Sequence, residues 1–122
     1  MKSEEKIGTE ELRQFTGSEQ FYRYGLKGDM LLTEGAKYLA DCAGAYWLMD
    51  EITLAQRFSK SVAEQEFQLW RLVVGEDGKG ALSCDDGNGH IVYTKTIRFT
   101  DFPACGIRLY VSNRVIMLPT EY

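Results

Sequence analysis

The feature that most constrains this chain is a change of hydrophobic period near residue 66. Before it, Tyr38, Cys42, Ala45, Met49 and Ile52 recur at spacings of 4, 3, 4 and 3, which lays an apolar stripe along one face of a helix. After it the period is two. Phe67, Leu69 and Val73 alternate with Trp70, Leu72 and Val74, the pattern of an extended strand. A segment patterned for one period does not settle as the other. The chain is therefore predicted to place helix early and sheet late.

Thr33 followed by Glu34 is a helix start. Leu39, Ala43 and Tyr46 widen the stripe behind it, and Asp41, Asp50 and Glu51 fall on the wet side. One long helix is predicted over 34–58. Gly44 costs about 1 kcal/mol relative to Ala in a helix interior and marks a kink, a break or a close backbone approach. Earlier, Thr9 is placed to cap a short N-terminal helix over 10–16, with Glu10 and Glu11 at the positive end of its dipole. Residues 1–8 read as a flexible tail and 9–122 as a single domain. Residues 21–25 and 30–32 suit short extended pieces, and 59–65 a polar linker.

Both faces of the strand at 67–74 are apolar, which predicts an interior strand. Turn clusters at 75–80 and 85–89 bracket a short strand at 81–84. Ile91, Tyr93, Ile97 and Phe99 alternate with Val92, Thr94, Thr96 and Arg98, a strand with one drier face. Pro103 cannot donate to a ladder and turns the chain. Ile107, Leu109 and Val111 make the next strand, Ser112-Asn113-Arg114 a tight hairpin turn, and 115–118 the last strand. Short connections between successive strands predict an antiparallel meander. The fold class expected is α+β: a C-terminal antiparallel sheet packed on one long helix.

The 122 residues suit one core. The net charge of −4 disfavours nucleic acid and anionic membrane surfaces. No run approaches the roughly 18 apolar residues of a membrane helix, and the N-terminus has no apolar stretch of a signal peptide. Three cysteines, Cys42, Cys84 and Cys105, form an odd set. They point to reduced thiols and a cytoplasmic location.

Each candidate site has a plainer structural reading beside it. Asp85-Asp86-Gly87-Asn88-Gly89-His90 carries oxygen donors, but its spacing is not that of a calcium loop and every residue suits a hairpin turn. The three cysteines and His90 are too scattered for structural zinc. A Cys84–His90 pair across one turn lacks a third, orienting group. No glycine pattern matches a phosphate loop. No metal or cofactor is expected. Tyr46, Trp47 and Asp50 are the most distinctive helical cluster: either core packing, or aromatic anchors beside an acid, as at a protein interface. Asp101, before Phe102-Pro103, either bonds its own loop or joins that cluster. Arg98, Arg108 and Arg114 would be needed for a basic stripe, against the overall charge.

Several segments occur together in order: Leu12-x-x-Phe15-Thr16-Gly17; Thr33-Glu34-Gly35-x-x-Tyr38-Leu39-Ala40; Ala45-Tyr46-Trp47-Leu48-Met49-Asp50-Glu51-Ile52; Thr100-Asp101-Phe102-Pro103; and Leu118-Pro119-x-Glu121-Tyr122. Across almost the whole chain this resembles a family of small uncharacterised bacterial proteins, also met in phages and plasmids. The resemblance carries over no catalytic residues. It implies a stand-alone bacterial domain with a mobile-element connection, a setting that would suit interference with a host defence complex. The preferred expectation is a non-enzymatic accessory protein that binds another protein, with a homodimer left open. The alternative is a small enzyme or ligand-binding domain with a pocket between helix and sheet near Trp47, Asp50 and Asp101.

Overall fold

The computed structural model describes residues 20–25, 28–103 and 106–122. The expected tail, the helix expected over 10–16 and Cys105 lie outside them. The described elements are β1 (Phe21–Tyr24), β2 (Met30–Thr33), α1 (Glu34–Ala43), α2 (Tyr46–Phe58), α3 (Lys60–Ala63), β3 (Phe67–Val74), β4 (Gly80–Asp85), β5 (Ile91–Ile97), β6 (Ile107–Ser112) and β7 (Val115–Met117), followed by a 3₁₀ turn over Pro119–Glu121. The α+β class holds.

The single long helix is corrected to two. Gly44 adopts φ 61° and ψ 38° and donates its N–H to Ala40 O, which closes α1. A new helix starts at Tyr46 with a different phase. The predicted stripe assumed one unbroken phase, so its α1 part is rotated. Ala36, Leu39, Ala40 and Ala43 are buried, whereas Tyr38 is only half-buried and Cys42 is exposed. On α2 the buried residues are Leu48, Met49, Ile52 and Ala55. The polar linker also folds: Ser59 Oγ accepts from Val62 N at 3.4 Å and caps the one-turn α3, which buries Val62.

The plain antiparallel meander is corrected as well. All seven strands form one mixed sheet in the order β1-β2-β7-β6-β3-β4-β5. The pair β2–β7 is parallel. β3, β4 and β5 do run as a meander, but β6 returns to the other side of β3. The spatial order β6-β3-β4-β5 is a Greek key. The connection from β5 to β6 therefore passes across the sheet end instead of making a hairpin.

The Thr100-Asp101-Phe102-Pro103 segment lies in that connection. Thr100 N donates to Gly78 O at 2.8 Å, Thr100 Oγ1 accepts from Phe102 N at 3.1 Å, and Phe102 is buried. At its end Gly106 has φ 68°, and a Cβ there would lie 2.2 Å from the Leu72 carbonyl oxygen. Only glycine lets the returning chain press onto β3 this closely.

The register assigns the two faces. Trp70 lies between Leu109 and Cys84, and Leu72 between Ile107 and Leu82. With Val111, Ile116, Leu32 and Met30 they form the face packed against Leu39, Leu48, Met49 and Ile52. Each large apolar side chain buried here contributes about 1.5–3 kcal/mol, so this face holds the helices.

One polar group sits within that layer and is fully paired. Gln68 and Gln56 exchange amide hydrogen bonds at 2.7 and 2.8 Å. Gln68 Oε1 also accepts from Trp70 Nε1 at 2.9 Å, and Gln68 Nε2 donates to Val62 O at 3.0 Å. This network ties β3 to α2 and α3 at one register.

Candidate functional site

Two of the segments carrying the resemblance, those at Thr33-Glu34-Gly35 and Leu118-Pro119-x-Glu121, meet at the end of the sheet where α1 begins. Thr33 Oγ1 accepts from Ala36 N at 3.1 Å and donates to Glu121 Oε1 at 2.6 Å. Glu121 also accepts from Gly35 N at 2.9 Å and from Leu118 N at 2.9 Å. A carboxylate at a helix N-terminus satisfies free N–H groups and suits the dipole. A Cβ on Gly35 would come within 2.6 Å of Glu121 Oε1 and of Leu118 Cδ1, so glycine makes room for this latch.

Tyr46 and Asp50 meet at a different corner, through β1. Tyr24 Oη donates to Asp50 Oδ1 at 2.5 Å and to Tyr46 O at 3.3 Å. The Tyr24 and Tyr46 rings stack with centroids 6.0 Å apart. Tyr46 Oη donates to Asp41 Oδ1, and Lys37 Nζ reaches Asp41 Oδ2 at 2.8 Å while lying over the Tyr22 ring. Burial, then the bond to Asp50, pushes the Tyr24 phenol well above its ordinary value. The hydrogen bond to Asp41 raises Tyr46. Lys37, then Tyr46, lowers Asp41. The phenols stay protonated and Asp41 stays charged near neutral pH. The corner clasps β1 to the helices. Trp47 is half-buried against the core.

Asp101 does not join them. Strands β2, β3 and β7 run in the same direction. Tyr24 sits at the β1–β2 turn, where β2 begins, whereas Thr100 is bonded to Gly78 at the turn where β3 ends. Asp50 and Asp101 therefore lie at opposite ends of the sheet, and no pocket can use both.

The other chemical candidates are accounted for locally. Asp85 Oδ1 accepts from Gly87 N at 2.6 Å, and Asp86 Oδ1 accepts from Asn88 N at 2.8 Å and His90 N at 3.3 Å. These are turn bonds. His90 Nδ1 lies 3.0 Å from Asp86 Oδ2, so the ring is engaged by its own turn. Cys84 is buried, and burial, then the Asp85 and Asp86 charges, push its thiol up to about 12. A thiol so protonated is a poor nucleophile. Among the described residues no group of three or more His, Cys, Asp or Glu could hold a metal ion.

A cavity of about 50 Å³ is lined by Asp29, Thr53, Leu54, Gln56, Arg57 and Arg114, room for little more than water. At its mouth Arg114 donates to Asp29 O and Asp29 Oδ2, both at 2.8 Å. Arg114 has φ 64° and Asn113 φ 52°, the two positive values of a hairpin turn. Arg114 thus joins the β6–β7 and β1–β2 turns through Asp29.

The least expected feature is the second face of the sheet. Among the described residues no helix lies over it. Phe67, Leu69, Arg71 and Val73 of β3 point there, beside Arg108 and Tyr110 of β6. Phe67 and Tyr110 meet edge to face with centroids 4.9 Å apart, and Tyr122 closes on them at 5.1 and 5.6 Å. Tyr122 itself is 73% exposed. Arg71 stands directly opposite Arg108 across the ladder, and among the described residues neither is in an ion pair. The sequence did contain a signal for this: an arginine midway along an interior strand whose one other polar residue is Gln68.

Among the described residues no helix is long and apolar enough to cross a membrane. A model of a family of unknown function, DUF6876, matches residues 6–122, and the chain belongs to that family. No curated protein and no solved structure matches it.

Proposed function

We propose that the protein is a non-enzymatic binding module that docks on another protein through the face of the sheet that the helices leave open. The observation that carries this reading is the composition of that face. It joins an aromatic triad, Phe67, Tyr110 and Tyr122, to two arginines that have no ion-pair partner among the described residues. Aromatic residues and arginine are the side chains most enriched at the energetic centre of protein interfaces. The triad is held by its own edge-to-face packing, so it loses little rotamer freedom when covered. The net charge of −4 weighs against nucleic acid as the partner.

Tyr46, Trp47 and Asp50 have their polar atoms or ring faces engaged with β1 and the core, and we assign them to holding the domain together. Asp101 belongs with the crossover.

Site-specific photocrosslinking in the producing cell separates the two surfaces. A benzoylphenylalanine at position 122 should capture one partner, whereas the same residue at position 46 should not. Capture from 46 and none from 122 would move the docking surface to the helical corner.

A further inference from the structure

We infer that Arg71 and Arg108 form a two-pronged seat for carboxylates of an acidic segment of the partner; this rests on the docking face proposed above. The register places the two cations directly opposite each other on neighbouring strands. Like charges in that relation destabilise a sheet, and the protein supplies no carboxylate to relieve them among its described residues. The acid nearest along this face is Asp85, which pairs with Leu69 on β4. It is buried, and its Oδ1 is taken by Gly87 N.

The same cross-strand row continues outward as Ser83, opposite Arg71, and Thr94, opposite Ser83. Two guanidiniums and two hydroxyls thus lie in line across four strands, β6, β3, β4 and β5. All four side chains can donate, and none is anionic. Guanidinium is the group best suited to bidentate pairing with carboxylate. Leu69 and Val73 flank the half-buried Arg71 on the same face of its own strand, a setting in which an arginine stem can cover apolar surface.

The net charge of −4 disfavours a long polyanion such as nucleic acid, whereas a short acidic segment needs only the local pair of cations. A peptide carrying two or three acidic side chains and an aromatic or aliphatic neighbour would use both the arginine row and the adjacent Phe67, Tyr110 and Tyr122 rings. The acidic polypeptide is therefore the occupant the face fits.

The test is a titration of the ¹⁵N-labelled full chain with hexaglutamate, followed through the arginine Nε–Hε signals. Oligothymidylate and inorganic phosphate serve as parallel probes at the same ionic strength. The signals of Arg71 and Arg108 should shift together with hexaglutamate. Arg71→Gln and Arg108→Gln should each weaken binding at least about tenfold. Arg57→Gln, an exposed change on α2, should leave it unaltered. Equal affinity in all three variants, or no shift at Arg71 and Arg108, overturns the seat. Tighter binding of oligothymidylate than of hexaglutamate overturns the partner class. If position 122 still captures a protein while hexaglutamate leaves both arginines unmoved, the seat falls and the docking face stands.

Discussion

Gln68 and Arg71 lie three residues apart on the same strand, and their surroundings could hardly differ more. Gln68 is 3% exposed, and both its amide oxygen and its amide nitrogen are hydrogen-bonded. Arg71, on the opposite face, has a second arginine across the ladder and, among the described residues, no acid paired with it. On the covered face a polar group is tolerated because every bond is made. On the open face two charges are left for something outside the described fold. The contrast separates residues that hold the protein together from residues that cost it stability. Cost without an internal return is where function is to be sought.

The largest expected effect falls on the covered face. Gln68→Leu keeps the volume but orphans the buried Trp70 Nε1 and the Gln56 amide. It should lose about 2–3 kcal/mol in urea unfolding, because an unmet buried donor costs more than the bond was worth. Replacing Gln56 as well should recover part of that loss. A single variant within about 0.5 kcal/mol of the parent would mean the layer adapts, and the contrast between faces would blur.

A smaller effect is expected at the seam between the β1–β2 and β6–β7 turns. Arg114 occupies a positive φ and also clamps Asp29. Arg114→Ala loses the clamp and keeps the strain. Arg114→Gly loses the clamp but relieves the strain. The glycine variant should be the more stable of the two by about 1 kcal/mol. Equal melting points would remove backbone strain from the account.

The smallest effect should have the opposite sign. Arg71→Gln relieves repulsion with Arg108, so at low salt the variant should be more stable by a few tenths of a kcal/mol. The gain should shrink as added salt screens the pair. A loss at every ionic strength would show that Arg71 is held by something within the protein, and the open face would lose its main distinguishing mark.

Much of the architecture was legible in the residues. Thr33-Glu34 marked a helix start because a cap is a local hydrogen bond. The alternation through Phe67 to Val74 marked an interior strand, which β4 and β6 indeed flank. Gly44 was singled out as a possible break, yet a glycine's cost alone does not say whether a helix bends or ends. Once it ended, the phase of the stripe changed and Cys42 turned outward. The loop from Asp85 to His90 read correctly as a turn because its bonds span only a few residues. Of the candidate site, the aromatic residues Tyr46 and Trp47 stood out by type, but their use was not legible. It depended on Tyr24, which lies in a strand read only as a short extended piece.

What the sequence determined alone was local: periods, caps and turns, each decided by atoms a few residues apart. Which strand lies beside which was decided only by the tertiary structure. Gly106 meets Leu72, Glu121 meets Thr33 and Gly35, and Arg71 meets Arg108 across long stretches of chain, and no short-range preference encodes such meetings. They arise because one face of the sheet must be buried. Once Trp70, Leu72 and their neighbours are packed on the helices, the strict two-residue alternation of the strands sends Phe67, Arg71, Arg108 and Tyr110 to the other side.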